Sequence, residues 1–368
     1  MPLEPDARHV AAAAALHRDL AENRRRLPAD LATALTDAGF TRHFVPERWG
    51  GRAGSFGELV AAVATVGESC ASTAWCAALY AAHARLASYL PDQAQRELWG
   101  ERPDVRIAAC VIPPSGEAAA VPDGWRLSGR WDYASGVDHA DWILLASRTA
   151  GEHRIFAVPR GDFEVIDTWH NVGLRGTGSS GVAVGAAFVP RHRSFTLEDL
   201  LRPGGGGGRC HSVPFPLVAG LQFVAPILGA ARGAQRDWLS SMAGRRRADG
   251  RSARDTATVQ FVLARSSAEI HAAQLLVEHA AQRADHGRVT ALVVAQNQRD
   301  VAMAAELCAT AVDRIFRASG AQAQRESSPL QRSWRDVTVA AGHATLEFEK
   351  AASEYAKAAF AAEDGRGR

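Results

Sequence analysis

Cysteine is scarce in this 368-residue chain: there are five, an odd number, and no pair has C-x-x-C spacing. That pattern argues against a disulfide framework and against a cysteine zinc site, and it reads as a reduced, cytoplasmic protein. An excess of charge of either sign is also missing. Lys and Arg number 42 against 40 Asp and Glu, a formal net charge of +2. Such a balance leaves no electrostatic footprint for nucleic acid and no polybasic patch for a membrane surface. No apolar run reaches the roughly 18 residues of a membrane span; the longest, Ala219 to Ala231, contains Pro226. The N-terminal MPLEPDARHV lacks the charged-then-apolar pattern of a secretory signal. A P-loop, a nucleophile elbow and the metal motif H-E-x-x-H are all absent, so no metal site is expected.

What is present is ordinary for a globular protein, at 47% hydrophobic and 22% charged residues. The chain divides into three blocks. Residues 1–104 are Ala-rich with Gly and Pro as punctuation, and LPADLATALTDAGF places Leu31, Leu35 and Ala38 at helical spacing before a C-capping Gly39. Residues 105–205 break into short runs of Val, Ile, Leu, Phe and Trp between Gly, Pro and Asp, the pattern of antiparallel strands. Residues 206–368 return to helical periodicity, with long amphipathic segments at 219–243, 254–284, 292–319 and 331–361 that predict a four-helix bundle. The glycine run 204–208 between the last two blocks predicts a mobile loop. Gly176 to Gly181 matches G-x-G-x-x-G by letter, but a strand-like VAVGAAFVP follows where a dinucleotide site needs a helix, so a Gly-rich turn is the better reading.

Several segments, in order along nearly the whole chain, resemble one family. They are LTDAGFTRHFVPERWGG at 35–51, Gly67-Glu68-Ser69 with Ser72-Thr73-Ala74-Trp75 and His83, and Ser128-Gly129-Arg130-Trp131 with Ala134-Ser135-Gly136. Gly173-Leu174-Arg175-Gly176-Thr177-Gly178-Ser179 follows, then Ser328-Pro329-Leu330-Gln331-Arg332 with Arg335-Asp336 and His343. Together they resemble the acyl-CoA dehydrogenase fold, and more closely its oxygenase branch, the two-component flavin-dependent monooxygenases. The resemblance implies an N-terminal helical domain, a middle antiparallel β-barrel and a C-terminal four-helix bundle assembled as a homotetramer. It implies an oxygenase component that takes reduced FMN or FAD from a separate flavin reductase. Through a C4a-hydroperoxide, that flavin uses O2 to hydroxylate an aromatic, polyketide or similar small molecule. The alternative is an acyl-CoA dehydrogenase-like, FAD-dependent desaturase; against it, the tail LEFEKAASEYAKAAFAAEDG lacks the Tyr-Glu-Gly context in which such enzymes carry their base. A helical scaffold that kept the fold without the chemistry is the third reading.

His83 shares a helical face with Leu79, Tyr80, Leu86, Ala87 and Leu90, and His343 with Val339, Ala340, Leu346 and Glu347. Those settings suit a hydrogen-bonded core histidine as well as a pocket residue. The resemblance makes both of them catalytic, with Ser135 near flavin N5 as a donor. It implies cofactor contacts from Trp131, Ser135, Arg247 (or Arg246), Gln260, Ser319, Gly320 and His343. The arginines suit a phosphate through their planar fork. Trp131 is otherwise a β-core aromatic, the arginine run a solvated helix end, and Ser319-Gly320 a helix cap. Trp75, Tyr80, His211, Phe215 and Phe223 are expected either to line the pocket or to fill the core.

Overall fold

The computed structural model describes residues 3–149, 151–202, 204, 207–246 and 250–364. Five helices open the chain: α1 (Glu4–Arg24), α2 (Ala29–Asp37), α3 (Phe56–Gly67), α4 (Ala71–Ala87) and α5 (Asp92–Trp99). Ser55 caps α3 by accepting from the Glu58 N–H. Every residue of α4 is buried, so this helix has no polar face for periodicity to detect.

The middle of the chain forms β1 (Ile107–Cys110), β2 (Glu117–Val121), β3 (Gly124–Ala134), β4 (Trp142–Thr149), β5 (Glu152–Pro159), β6 (Glu164–Ile166), β7 (Ser180–Pro190) and β8 (Ser194–Thr196). They make one eight-stranded sheet in the order β6-β7-β3-β2-β4-β5-β8, with β1 beside β4. The sheet is mixed, not antiparallel as the hairpin pattern predicts, because β1 and β2 each run parallel to β4. β2 turns straight into β3 as an antiparallel hairpin, but β1 and β2 also pair with the later strand β4 in the same direction, and no local pattern in the sequence marks those pairings. Strand β2, EAAAV, escapes a sequence reading because its alanines suggest helix.

The C-terminal region holds two single turns, α6 (Arg209–Ser212) and α7 (Phe215–Val218). Five longer helices follow: α8 (Leu221–Gly244), α9 (Ala257–His286), α10 (Ala291–Ala318), α11 (Pro329–Ala341) and α12 (Phe348–Asp364). Helices α8, α9 and α10 match the predicted segments closely. The predicted helix 331–361 is instead two helices, because the chain leaves helical geometry at Gly342 and makes a short turn at Ala344–Leu346. The stretch Phe215–Gly244 is long and apolar enough to cross a membrane, a longer apolar segment than the Ala219 to Ala231 run suggests; 83% of its apolar window is buried inside the fold, where α8 packs against α3, α4, α9, α10 and α11. Of the glycine run, Gly205 and Gly206 lie outside the described residues, while the Gly204 N–H donates to the His211 carbonyl.

Candidate active site

A cavity of about 440 Å³ opens where the three regions meet. Helix α4 brings Trp75, Leu79 and His83 to it, the sheet brings Cys110 and Asp132, the turn after β3 brings Ser135, the loop before β7 brings Trp169, Leu174 and Ser179, and the turn after α11 brings His343 and Thr345. Thus His83, Ser135 and His343, separated by up to 260 positions along the chain, line one hollow. Its walls are largely aromatic and aliphatic, and its size is that of a site for a drug-sized molecule.

The two imidazoles have fixed and opposite characters. A carbonyl only accepts, so the 2.8 Å contact between His83 Nδ1 and the Ile107 oxygen places the hydrogen on Nδ1. Burial pushes His83 down to about 4, against the opposing pull of that hydrogen bond. The neutral ring therefore turns a bare Nε2 lone pair outward. At His343 the Thr345 N–H donates to Nδ1 at 3.2 Å, so the neutral ring carries its hydrogen on Nε2. Burial pushes this ring to about 4 as well. Its face stacks on Phe223 at 3.8 Å, and Trp75 meets the same ring edge-on at 5.9 Å. His343 holds this place because the helix ends at Gly342: it caps the following turn instead of sharing a helical face with Val339 and Leu346. A glycine within a helical pattern was the available signal for that break.

Ser135 follows the end of β3 and precedes Gly136, whose φ of 71° suits glycine. The Trp75 indole N–H donates to its hydroxyl at 3.1 Å. Other predicted contacts fall elsewhere. Trp131 is buried in the sheet core with its indole N–H on the Ala146 carbonyl at 2.7 Å, and it is not among the cavity lining. Tyr80 is spent on the Gly136 carbonyl at 2.7 Å, and His211 is sealed against the Phe44 carbonyl, so neither lines the cavity, whereas Trp75, Phe215 and Phe223 do. Gln260 is exposed on α9. Ser319 borders a second hollow of about 350 Å³ with Trp238 and Arg245, and the Arg245 guanidinium donates to the Ser319 carbonyl at 2.9 Å. Gly320, at φ 70°, follows directly. Arg247 lies outside the described residues. The sequence reading missed Trp169, Leu174 and Ser179 as wall residues, because a Gly-rich turn gives no sign of which way its side chains point.

The chain matches two family profiles, "Acyl-CoA dehydrogenase, N-terminal domain" over residues 6–101 and "Acyl-CoA dehydrogenase, C-terminal domain" over 221–348. It is 32% identical to the oxygenase subunit HsaA of a flavin-dependent monooxygenase from Rhodococcus jostii, over 92% of this chain and 93% of that protein. It is 30% identical to the oxygenase component of an FADH2-dependent resorcinol hydroxylase from a Rhizobium species, over 92% of this chain and 90% of that one. Among solved structures it superposes with TM-score 0.92 on XiaF from a Streptomyces species in complex with FADH2 and glycerol, at 28% identity, covering 98% of this chain and 95% of that one.

Proposed function

Because the chain belongs to the acyl-CoA dehydrogenase family, in its branch of flavin-dependent monooxygenase oxygenase components, we propose that it hydroxylates a small phenolic substrate at the cavity shared by His83, Ser135 and His343. It is an oxidoreductase that uses reduced flavin, FMN or FAD, delivered by a separate reductase. When bound, that flavin activates O2 and supplies one oxygen atom to the substrate. The residues present suit such a ring: the hollow is large enough, Trp75, Trp169 and Phe223 offer apolar faces, and polar atoms sit only at a few points of the wall. His343 and Ser135 would hold the flavin, and the aromatic walls would keep water away from it.

The observation that carries this reading is the pair of opposed imidazoles. A phenol brings a hydroxyl hydrogen that the bare His83 Nε2 accepts, while the His343 Nε2–H donates to an oxygen in the same space. The names of the relatives, a resorcinol hydroxylase and a p-hydroxyphenylacetate hydroxylase, support a phenol. The desaturase alternative needs a carboxylate base, and among the described lining residues the one carboxylate is Asp132, on a strand and not in the C-terminal helices.

Assembly as a homotetramer is part of the same proposal. In it Arg247, Gln260, Ser319 and Gly320 would meet the flavin phosphate end across a subunit contact, which the hollow beside Arg245 and Ser319 supports. A barrel-like closure of the sheet is favoured by the approach of β5 to β7, which are not neighbours in the strand path, and a four-helix bundle by the packing among the C-terminal helices. The cytoplasmic setting expected from the scattered cysteines stands as proposed. The test supplies purified protein with a flavin reductase, NADH, O2 and a panel of phenols. The expected result is phenol-dependent formation of a catechol or hydroquinone, with none formed by either protein alone. Oxygen consumed only to hydrogen peroxide, with every phenol, would sink the proposal.

A further inference from the structure

Strand β3 slips out of its ladder near its end. On β7, Val182 pairs with Trp131 and Ser180 with Ala134, so Asp132 and Tyr133 together oppose the single residue Gly181. That is a β-bulge, and a bulge re-aims the side chains around it. In an even strand, consecutive side chains point to opposite faces. Here Asp132 and Tyr133 both reach the cavity wall, while Trp131 stays in the sheet core. Tyr133 holds a left-handed φ of 68°, a conformation that a bulky residue rarely adopts. Such strain persists only where the surroundings enforce it, and it gathers at ligand sites. Gly181 leaves room for the bulge, since a Cβ there would lie 3.0 Å from Asp132 Oδ1.

The bulge also gives the cavity its charge. Among the described lining residues there is no Lys or Arg, and Asp132 is the sole carboxylate. Burial pushes both lining histidines down to about 4, so at neutral pH neither offsets it. Among the described residues no cation pairs with Asp132. Beside it the Tyr133 ring meets Trp169 at 89°, with centroids 6.4 Å apart. Trp169 is held by its indole N–H, which donates to the Leu174 carbonyl at 3.0 Å, whereas Tyr133 is 70% exposed and keeps a free ring face. An unpaired carboxylate next to open aromatic rings is the chemistry that recognises an ammonium group. The carboxylate accepts its N–H bonds, and the negative ring faces attract its charge.

We infer that Asp132 and Tyr133 are specificity-determining residues, and that the phenol this site takes carries a side chain ending in a cationic amine. The inference rests on the phenol reading above and narrows it. The two imidazoles take the hydroxyl end of the substrate, and Asp132 with Tyr133 takes the ammonium end. A phenol that ends in a carboxylate is rejected at the same place, because its charge meets that of Asp132 and the described wall offers no Lys or Arg to receive it. Neither residue acts on the reacting atoms; both decide which phenol is held beneath them.

The test compares three phenols of similar shape and different charge: tyramine, para-propylphenol and para-hydroxyphenylpropanoate. Each Kd for the full-length protein is read from tryptophan fluorescence, and each kcat/KM from product formed with a flavin reductase, NADH and O2. The wild type binds tyramine more tightly than the propanoate. In Asp132→Asn the preference for tyramine over para-propylphenol falls about tenfold, the order of one charge-assisted hydrogen bond. Asp132→Glu keeps the charge and keeps most of the preference, which a mere packing role for the side chain would not give. Tyr133→Phe keeps the ring and the preference, and Tyr133→Leu lowers it about threefold, as loss of a cation–π contact does. An equal preference in the wild type and Asp132→Asn, or a wild type that binds the propanoate more tightly than tyramine, overturns the inference and leaves the phenol reading standing. Tyramine bound preferentially through Asp132, with none of the three phenols hydroxylated, upholds the amine site and overturns the phenol reading instead.

Discussion

His83 and His343 are the same residue type facing the same space, and the backbone atom each one meets decides what it does there. A carbonyl on Nδ1 makes His83 an acceptor at Nε2; an N–H on Nδ1 makes His343 a donor. The low affinity of both for protons has a consequence for stability. An unfolded histidine titrates near 6.5, and buried His83 near 4. Between those values the unfolded chain binds a proton that the folded chain refuses. The contribution of His83 is therefore complete above pH 6.5 and is lost as pH falls toward 4, by about 3 kcal/mol. His83→Asn keeps a donor for the Ile107 carbonyl and removes the titration, so denaturant melts at pH 7 and pH 4.5 are expected to differ less in this variant than in the wild type. Equal losses in the two proteins would refute the assignment. The family resemblance marked His83, Ser135 and His343 as candidates, yet it could not tell which histidine donates and which accepts, since that depends on atoms brought up from β1 and from the turn after α11.

Helices α3 and α8 cross with their backbones nearly touching. A Cβ on Gly229 would lie 2.2 Å from the Ala64 carbonyl oxygen and 2.8 Å from the Gly67 Cα, and one on Gly233 would lie 2.3 Å from the Glu68 carbonyl. The glycines are required here by close approach, not by backbone conformation, as none of the three has a positive φ. Forcing α8 outward also moves Gln222 and Phe223, which it delivers to the cavity wall. Gly229→Ala is expected to cost about 3 kcal/mol, read as a lowered midpoint in thermal unfolding, and to weaken flavin binding. Gly185→Ala, where a Cβ would meet nothing within 4 Å, serves as the control and should leave the midpoint close to wild type. A harmless Gly229→Ala would mean the crossing is looser than these distances. At this scale periodicity found the long helices α8, α9 and α10, because each buries one stripe over many turns. It ran through the break at Gly342, because α11 and α12 continue the same apolar spacing on either side.

On the scale of the molecule, the cavity exists only when all three regions are docked. Glu22 on α1 accepts from Arg335 on α11 at 2.7 Å, and its neighbour Asp336 holds the Leu174 N–H of the middle region, so one short segment ties the first helix, the loop before β7 and the C-terminal helices together. Burial pushes the Asp336 carboxyl up to about 7, the backbone N–H partly opposing it. A ligand seated among these walls binds the fully docked chain and not a partly opened one. Reduced flavin at a hundredfold excess over its Kd should therefore add about 2.7 kcal/mol to unfolding, and the whole transition should move as one in anaerobic thermal melts. If only a part of the transition moved, the regions would be responding independently and the shared cavity would be refuted.

The order of helical, strand and helical blocks was determined by sequence alone, because hydrophobic period and turn residues act over a few positions and leave a local trace. The family motifs, and with them the candidate residues, were also legible as strings of letters. Tertiary structure alone decided that β1 and β2 run parallel to β4, that Trp131 turns into the sheet core while Trp169 faces the cavity, and that His83 and His343 carry their hydrogens on different ring nitrogens. Strand direction, side-chain facing and proton placement all depend on partners far away in the chain, and no local pattern of residues records where those partners arrive.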